Sequence, residues 1–388
     1  SGLSIPYAGA AFQIYNPDGT RVTMQYTYPE LTVIDTFYTN EEGYLITPEV
    51  LPFGKGYSIV EVKAPYGYVL NSDPVYFDVT ADSATEDGGI TLIEVTRSNM
   101  PQKGIIRFFK TGEVFWTVTE AVGIYKPVYA VKSLPGAVFE IRAAEDICTL
   151  DGVMHYAKGE IVDAITTGSD GVASSKELYL GKYEIQEITA PHGMVLNGTI
   201  QSVELTYAGQ EVAITETADN LYNERQKVKV SLSKVLEQND LFGIGMNGEL
   251  KNITFGLYAK TDLVAGDGTV IPAGGLIEIV TFDDNGMATV STDLPLGSYY
   301  LQERSTDEHY ILDDTHYEFE FSYGSQETQV VEISVNDGVP IQNDLKYGMV
   351  SGRKVDEDGH VIAGAIFGLF RNDENEYTAE NAYLTAES

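Results

Sequence analysis

Apolar and polar residues alternate along most of the chain in short runs, and turn-forming residues separate these runs. The clearest run lies in residues 177–197, ELYLGKYEIQEITAPHGMVLN, where Tyr183, Ile185 and Glu187 occupy every second position. Because successive side chains of a strand point to opposite faces, this period predicts β-strands. No long segment carries the apolar period of a helix. The alternation therefore predicts an all-β protein.

The stretch at 177–197 has two further copies in the chain. Residues 49–71 are a close copy, and residues 292–313 are a more divergent one. Their glutamates, Glu61 and Glu303, lie 126 and 116 positions from Glu187 (187−61 and 303−187). Self-similarity at a long period indicates an array of like modules, and short strands with turns at this spacing are typical of β-sandwiches. We therefore expect a tandem array of immunoglobulin-like β-sandwich domains.

The three copies mark three units, and the residues after the third copy begin a fourth. A Gly-Ala-x-Phe signal in three of them supports this division, at Gly136 and Gly364 and, in the form Gly-Ala-Ala-Phe, at Gly9. The predicted boundaries are 1–103 for a sandwich that lacks its first strand, 104–226 for a complete domain with a long insertion, 227–345 for another complete domain, and 346–388 for the truncated start of a fourth.

The charge balance excludes several classes of function. The chain has 58 acidic and 24 basic residues, for a formal net charge of −34. Phosphate backbones and anionic membranes attract basic surfaces, so we expect no nucleic-acid partner and no binding to an anionic membrane surface. No apolar span is visible, so we also expect no membrane insertion in this segment. The single cysteine, Cys148, allows no intrachain disulfide, and we expect it to be a small buried residue. No secretion signal is visible and the sequence begins at Ser1, which predicts a piece of a longer protein.

The three glutamates pose a physical problem. Each has the same parity as the apolar residues before it, so alternation directs Glu61, Glu187 and Glu303 towards the core. A buried charge is costly unless it is paired or neutralised. Either each glutamate has a partner inside the unit, or the strand bends at its end and returns the carboxylate to water.

Lysine and asparagine recur in a fixed register with these glutamates. The lysines end the first strands of their units, at Lys110, Lys234 and Lys354, and the asparagines end the units, at Asn99, Asn223 and Asn343. Each asparagine precedes the next lysine by 11 positions (110−99, 234−223 and 354−343), although the intervening residues differ almost completely. A lone lysine is usually a solvated strand end and a lone asparagine a turn residue. Their joint register instead indicates that lysine, glutamate and asparagine meet in one core.

Such a trio can react with itself. Burial lowers the pKa of an amine and raises that of a carboxylic acid, so the proton can rest on the carboxyl group and leave a neutral amine. That amine is a nucleophile, and the asparagine side-chain carbonyl is an electrophile. The carboxyl group can hydrogen-bond the carbonyl and carry protons to the departing ammonia. The product is an amide bond between lysine and asparagine.

The motif Tyr-x-Ile-x-Glu-x-x-Ala-Pro-x-Gly-x-x-Leu, followed by a terminal asparagine, resembles the Cna-B-type (SpaA-like, prealbumin-like) domains of Gram-positive surface adhesins and pilus proteins. The likeness is most specific at 61–70 and 187–196 and weaker at 304–310. The resemblance implies prealbumin-like sandwiches with intramolecular isopeptide bonds that glutamate promotes. The implied sets are Lys110–Asn223 with Glu187 and Lys234–Asn343 with Glu303, while the first unit has Glu61 and Asn99 without a visible lysine and the fourth has Lys354 alone.

These observations predict a structural stalk or spacer of a bacterial surface protein, located outside the cell at the cell wall. It would be no enzyme beyond a single-turnover self-crosslinking, would need no cofactor, and would have the flanking domains of the same surface protein as partners. The alternative is an adhesin module whose insertion at 113–133, with Trp116, Tyr125 and Tyr129, binds a host matrix protein or glycan; that insertion could equally be a β-ribbon packed on its own domain.

Other candidate features have simpler interpretations. His309 and His316 lie near three aspartates, but a solvated acidic loop is expected there rather than a metal site. The stretches 283–286 and 356–359 resemble fragments of calcium loops but lack the downstream glutamate, so we expect turns.

The two end units suggest one further expectation. A strand at 348–354 could enter the first unit of another copy and bring Lys354 to Glu61 and Asn99. Alternatively, both ends fray or the first unit closes without its missing strand.

Overall fold

The computed structural model describes residues 9–80 and 92–388. Within these residues the regular elements are β-strands and two short 3-10 turns, Glu249–Asn252 and Val335–Gly338, with no α-helix. The prediction of an all-β fold is therefore confirmed. The described part of the chain holds no helix of the length and apolarity that a membrane span requires.

The first unit is built around one four-stranded antiparallel sheet. Its strands are β1 (Ala11–Tyr15), β2 (Met24–Tyr26), β3 (Thr32–Ile34), β4 (Phe37–Tyr38), β5 (Gly54–Lys63) and β6 (Val75–Val79). The sheet order is β4-β1-β5-β6, and β2 pairs with β3 separately. Its core includes Ile14, Met24, Phe37 and Tyr57.

Residues 92–99 of the first unit form no strand. Every second residue from 93 to 99 is half-buried, so the side chains alternate as in a strand although the backbone does not pair with a neighbouring strand. The equivalent segment of the second unit pairs in parallel with the strand that carries Lys110. No such lysine-bearing strand lies against 92–99 among the described residues of the first unit, which explains the missing ladder.

The second unit is a two-sheet sandwich. Its strands are β7 (Lys103–Ala121), β8 (Ile124–Ser133), β9 (Val138–Ala143), β10 (Ile147–Cys148), β11 (Met154–Tyr156), β12 (Ile161–Thr166), β13 (Val172–Ser174), β14 (Leu178–Tyr179), β15 (Gly181–Thr189), β16 (Gln201–Leu205) and β17 (Ile214–Asn223). One sheet has the order β12-β9-β15-β16; in the other, β7 pairs with β13, β14 and β17. Cys148 is exposed, so the expectation that it is buried was wrong. It lies in a two-residue strand outside the two main sheets, with its side chain towards solvent.

The third unit repeats this plan. Its strands are β18 (Lys227–Leu236), β19 (Thr254–Ala259), β20 (Leu263–Val264), β21 (Val270–Ile271), β22 (Leu276–Thr281), β23 (Met287–Thr289), β24 (Gly297–Ser305), β25 (Tyr317–Phe321), β26 (Val330–Ser334) and β27 (Ile341–Asn343). One sheet contains β22-β19-β24-β25, and the other places β18 between β23 and β26, with β27 also on β18. In both complete units the first strand therefore lies parallel to the last.

The insertion at 113–133 is a β-ribbon that reaches the neighbouring unit. Strand β7 continues past Lys110 and turns back as β8. At the far end, Ile124 pairs with Leu276 of the third unit, and the carbonyl oxygens of Phe115 and Trp116 accept hydrogen bonds from residues 266 and 267. Phe115 and Tyr125 pack against the core of the third unit. The ribbon thus packs on the following domain and also on its own, where Val114 contacts a cluster formed by Leu134, Ala190 and Met194.

The remainder of the chain holds two paired strands, β28 (Ile366–Leu369) and β29 (Leu384–Glu387). The strand expected at 348–354 does not form, and Lys354 is exposed. A strand needs a neighbour for its backbone groups, and no described strand lies beside 348–354.

Candidate crosslinking sites

In the second unit, three strands bring a lysine, a glutamate and an asparagine into one apolar core. Lys110 lies on β7, Glu187 on β15 and Asn223 at the end of β17, and they are 1%, 3% and 0% exposed. Strand alternation places Lys110 in line with Phe108, and Glu187 in line with Ile185. Lys110 and Glu187 come from the two facing sheets, so their side chains meet between the layers.

One carboxyl group touches both nitrogens of this trio. Glu187 Oε1 lies 3.1 Å from Lys110 Nζ, while Glu187 Oε2 accepts a hydrogen bond from Asn223 Nδ2 at 2.8 Å. The Asn223 amide also donates to the carbonyl oxygen of Val195 at 2.5 Å. Asn223 Oδ1 is buried and receives no hydrogen bond within the described residues. The amide group is therefore held by its nitrogen, and its carbonyl is left without a competing donor.

Burial changes the chemistry of the lysine. Desolvation lowers the pKa of Lys110, and the Glu187 carboxylate offsets part of that change. The ring of Phe139 lies 5.4 Å from Lys110 Nζ and covers the amine on one side. A lower pKa increases the fraction of neutral amine, which is the nucleophilic form.

The third unit has the corresponding arrangement. Lys234 Nζ lies 3.5 Å from Glu303 Oε1 and donates a hydrogen bond to Asn343 Oδ1. The amide nitrogen of Asn343 donates to both oxygens of Glu303, at 2.9 and 3.0 Å. Burial lowers the pKa of Lys234, and the negative charges of Glu303 and Asp313 oppose that shift. All three members of the trio are buried.

The first unit contains two members of the trio. Asn99 Nδ2 donates to Glu61 Oε2 at 2.6 Å and to the carbonyl oxygen of Val69 at 2.9 Å. Asn223 makes the equivalent two hydrogen bonds in the second unit. Glu61 is buried, and its Oε1 has no hydrogen-bond partner in residues 9–80 and 92–388. The corresponding oxygen of Glu187 contacts Lys110. Lys354 is exposed and does not join any glutamate–asparagine pair.

A comparison with protein families agrees with this architecture. The family model described as the SpaA prealbumin-like fold domain matches residues 4–91, 125–219 and 244–338, which together are more than half of the chain. The chain belongs to the SpaA prealbumin-like family. No curated protein sequence matches it significantly.

Several solved structures are also similar to this chain. The TIE protein of Bacillus anthracis is similar at a TM-score of 0.50 and 19% identity, over 87% of this chain and 48% of that protein. This chain therefore spans about half the length of that relative. BcpA, the major pilin subunit of Bacillus cereus, is similar at 17% identity and a TM-score of 0.28, over 87% of this chain and 95% of that one. The shaft pilin spaA of Lactobacillus rhamnosus GG is similar at 12% identity and a TM-score of 0.22, over 64% of this chain and all of that one.

Sequence reasoning missed the backbone groups that orient the glutamates of these SpaA-like units. The N–H ten positions after each glutamate donates to its Oε2: Asn71 to Glu61 at 3.0 Å, Asn197 to Glu187 at 2.8 Å, and Asp313 to Glu303 at 2.7 Å. The common spacing (71−61, 197−187, 313−303) was the available signal.

The hydroxyl of Thr306 was also missed. In the third unit the Thr306 Oγ1 accepts from Asn343 Nδ2 at 2.8 Å. In the second unit the equivalent amide of Asn223 donates to a backbone carbonyl instead. Thr306 stands where the other two copies have the alanine of the Ala-Pro turn, so the divergence of the third copy supplies a different hydrogen-bond partner at the same site.

The other candidate residues have local partners. His309 Nδ1 contacts Asp307 Oδ1 at 2.6 Å, whereas the His316 ring stacks on Tyr300. Within the described residues, no group of three or more His, Cys, Asp or Glu side chains is arranged to hold a metal ion. Asp283 and Asp356 each accept backbone N–H groups from within their own turns.

Proposed function

We propose that this chain is a load-bearing stalk segment of a Gram-positive cell-surface or pilus-like protein, stiffened by self-made lysine–asparagine bonds in its second and third units. The observation that carries the proposal is the single glutamate that contacts both the amine nitrogen and the amide nitrogen. Proton exchange between these two nitrogens is what the condensation requires.

The proposed reaction balances without an external reagent. The neutral amine of Lys110 attacks Cγ of Asn223, and a new Nζ–Cγ bond forms. Glu187, which holds the proton that the lysine gave up, delivers it to Nδ2, which leaves as ammonia, and then takes a proton from the attacking nitrogen. The same steps apply to Lys234, Asn343 and Glu303. Each unit reacts once, so the protein modifies itself and does not turn over a substrate.

The strand order explains why such a bond would carry load. The chain enters the second unit at the start of β7 and leaves at the end of β17, and these strands are parallel neighbours. Pulling the two ends shears that pair. A bond between Lys110 and Asn223 joins the strands covalently, so the force bypasses the residues between 110 and 223.

Stretching single full-length molecules tests this function. Crosslinked second and third units are expected to give no unfolding step. A Glu187→Gln variant should gain one step of about 400 Å, because about 113 residues (223−110) become extensible. Glu184→Gln is the matched control, since Glu184 lies on the exposed face of the same strand. Two such steps in the unmodified chain would contradict the proposal.

The adhesin alternative has less support, because the ribbon at 113–133 is engaged with the third unit. Lys126 Nζ donates to Thr292 Oγ1 at 3.0 Å, and the Tyr129 hydroxyl donates to the Asp293 carbonyl at 3.1 Å. Arrays of matrix proteins and glycans probed with the full chain are expected to show no binding. A ligand whose binding is lost in a Trp116→Ala variant would support the adhesin function.

A further inference from the structure

A buried glutamine joins the first unit to the second. Gln102 lies three positions after Asn99 (102−99), and its side chain enters the loop between β16 and β17. Its Nε2 group donates to the carbonyl oxygens of Gly209, at 2.9 Å, and Val212. Its Oε1 accepts from the backbone N–H of Ala208 at 2.8 Å. All the polar groups of this side chain are therefore used between units.

A second glutamine makes the opposite connection. Gln210 Oε1 accepts from the backbone N–H of Ala64 at 2.9 Å, and its Nε2 donates to the Val62 carbonyl at 3.4 Å. The backbone carbonyl of Gln210 accepts from the N–H of Leu70 at 2.9 Å. Ala64 and Leu70 are the alanine and leucine of the Glu-x-x-Ala-Pro-x-Gly-x-x-Leu motif, so this motif forms the contact surface for the next unit.

The same contacts recur between the second and third units. Gln226 replaces Gln102 and Gln326 replaces Gln210. The recurring hydrogen bonds are Gln226 Nε2 to the carbonyls of Ser325 (3.1 Å) and Thr328 (2.7 Å), Gly324 N–H to Gln226 Oε1 (2.9 Å), Ala190 N–H to Gln326 Oε1 (3.0 Å), Gln326 Nε2 to the Ile188 carbonyl (3.4 Å), and Leu196 N–H to the Gln326 carbonyl (2.8 Å).

Ring contacts accompany the hydrogen bonds at both junctions. The residue after the proline of the motif meets a tyrosine of the following unit. Tyr66 and Tyr207 have ring centroids 4.6 Å apart, and His192 and Tyr323 have centroids 4.8 Å apart. The loops that provide the tyrosines, 207–213 and 323–329, occupy equivalent places in their units.

We propose that these paired glutamines, the glutamine clasp, form a modular coupling that fixes the angle between adjoining units. The motif loop and the buried glutamine of one unit bind the tyrosine- and glutamine-bearing loop of the next. A primary amide matches this loop because it presents two donors to two carbonyls and one acceptor to an N–H group. Buried polar groups tolerate little misalignment, so the contacts select one orientation. The coupling does not depend on the proposed crosslinks.

On the side that would face a following unit, the third unit lacks the residues that form the clasp. Lys346 stands three positions after Asn343 (346−343), where the other units have glutamine. Its side chain is exposed, and its Nζ donates to the Glu308 carbonyl at 2.9 Å. An ammonium group has no acceptor for a backbone N–H. Thr306 replaces the clasp alanine and directs its hydroxyl to Asn343. Residues after the third unit therefore contact it without the clasp, as where the Tyr347 hydroxyl donates to Glu237 and the Phe242 and Tyr383 rings meet edge to face.

Electron spin–spin distances in the full chain test the clasp at the first junction, where none of the described residues forms a ribbon between the units. Cys148 lines the cavity at this junction with Gln102 and Tyr207, so it is replaced by serine, and labels on Glu41→Cys and Ser169→Cys place one exposed probe in each unit. The intact clasp should give one narrow distance distribution. Gln102→Ala is expected to broaden it about twofold or more, because unrestrained domains move relative to one another. Gln25→Ala, at an exposed glutamine of the first unit, should leave the distribution unchanged.

A second variant keeps the test valid if Gln102→Ala prevents folding. Gln210 is half-buried, so Gln210→Ala removes the other side of the clasp with less effect on a core. Hydrogen exchange at the Ala64 amide should become about tenfold faster in that variant, since a lost hydrogen bond exposes this donor. An unchanged distance distribution in both variants, with unchanged exchange at Ala64, would overturn the proposal.

Discussion

Replacing Glu187 by glutamine should separate the crosslink of the second unit from the fold around it. Glutamine keeps the size of the side chain but cannot take a proton from the Lys110 amine, so the bond to Asn223 should not form. The bond would close a loop of 113 positions (223−110). By the chain-entropy relation for crosslinks, a loop of this length contributes about 5 kcal/mol to stability. An unfolding entropy typical of a unit of about 120 residues converts this to a melting temperature lower by about 20 °C.

Scanning calorimetry and peptide mass spectrometry would measure this effect. The transition of the second unit should move down while that of the third stays in place, and the branched peptide containing Lys110 and Asn223 should disappear. Glu184→Gln controls for the change of charge on the same strand. A Glu187→Gln protein that melts at the unmodified temperature and still yields the branched peptide would refute the assigned role of Glu187.

Three further predictions concern the other groups of these sites. Chain collected unfolded, before either bond has formed, and then refolded gives the rate of ammonia loss by mass. Thr306→Val should slow that loss in the third unit, because Asn343 loses the hydroxyl that holds its amide, and the rate in the second unit is the internal control. Because burial lowers the pKa of Lys110, crosslinking of chain refolded from that uncrosslinked state should accelerate as pH rises from about 6 and level off below 10.5, the ordinary value for lysine. A rate independent of pH would contradict the neutral-amine step. Concentrated protein should run as a single band on a denaturing gel, since 348–354 forms no strand, and a ladder abolished by Lys354→Ala would instead establish bonding between copies.

Strand alternation explains how far the sites can be predicted from sequence. A period of two assigns Lys234 and Glu303 to inward faces, and the structure buries both. Contacts between units lie beyond this reasoning, because they depend on which surfaces meet in three dimensions. The ribbon around Trp116 has the composition of an exposed binding surface, yet it packs on the third unit. In the sequence, Gln102 and Gln226 resemble ordinary polar residues. Their recurrence three positions after an asparagine was a signal that both have the same role.

Residues 92–99 form no strand for a second reason that strand alternation cannot show. Alternation records which side chains face inward, but a strand also requires a neighbour that pairs with its backbone. The same limit applies to 348–354, where the place in the repeat predicted a strand but no described strand lies beside it. The prediction that Cys148 is buried was wrong because a two-residue strand is too short to show which of its side chains face inward.

The intact mass of the purified full chain tests the central claim most directly. Two condensations release two molecules of ammonia, so the protein should be about 34 Da lighter than its sequence mass. The Glu187→Gln variant should be about 17 Da lighter than its own sequence mass, which would assign one loss to the second unit. An unmodified chain whose mass equals the sequence mass would contradict the account.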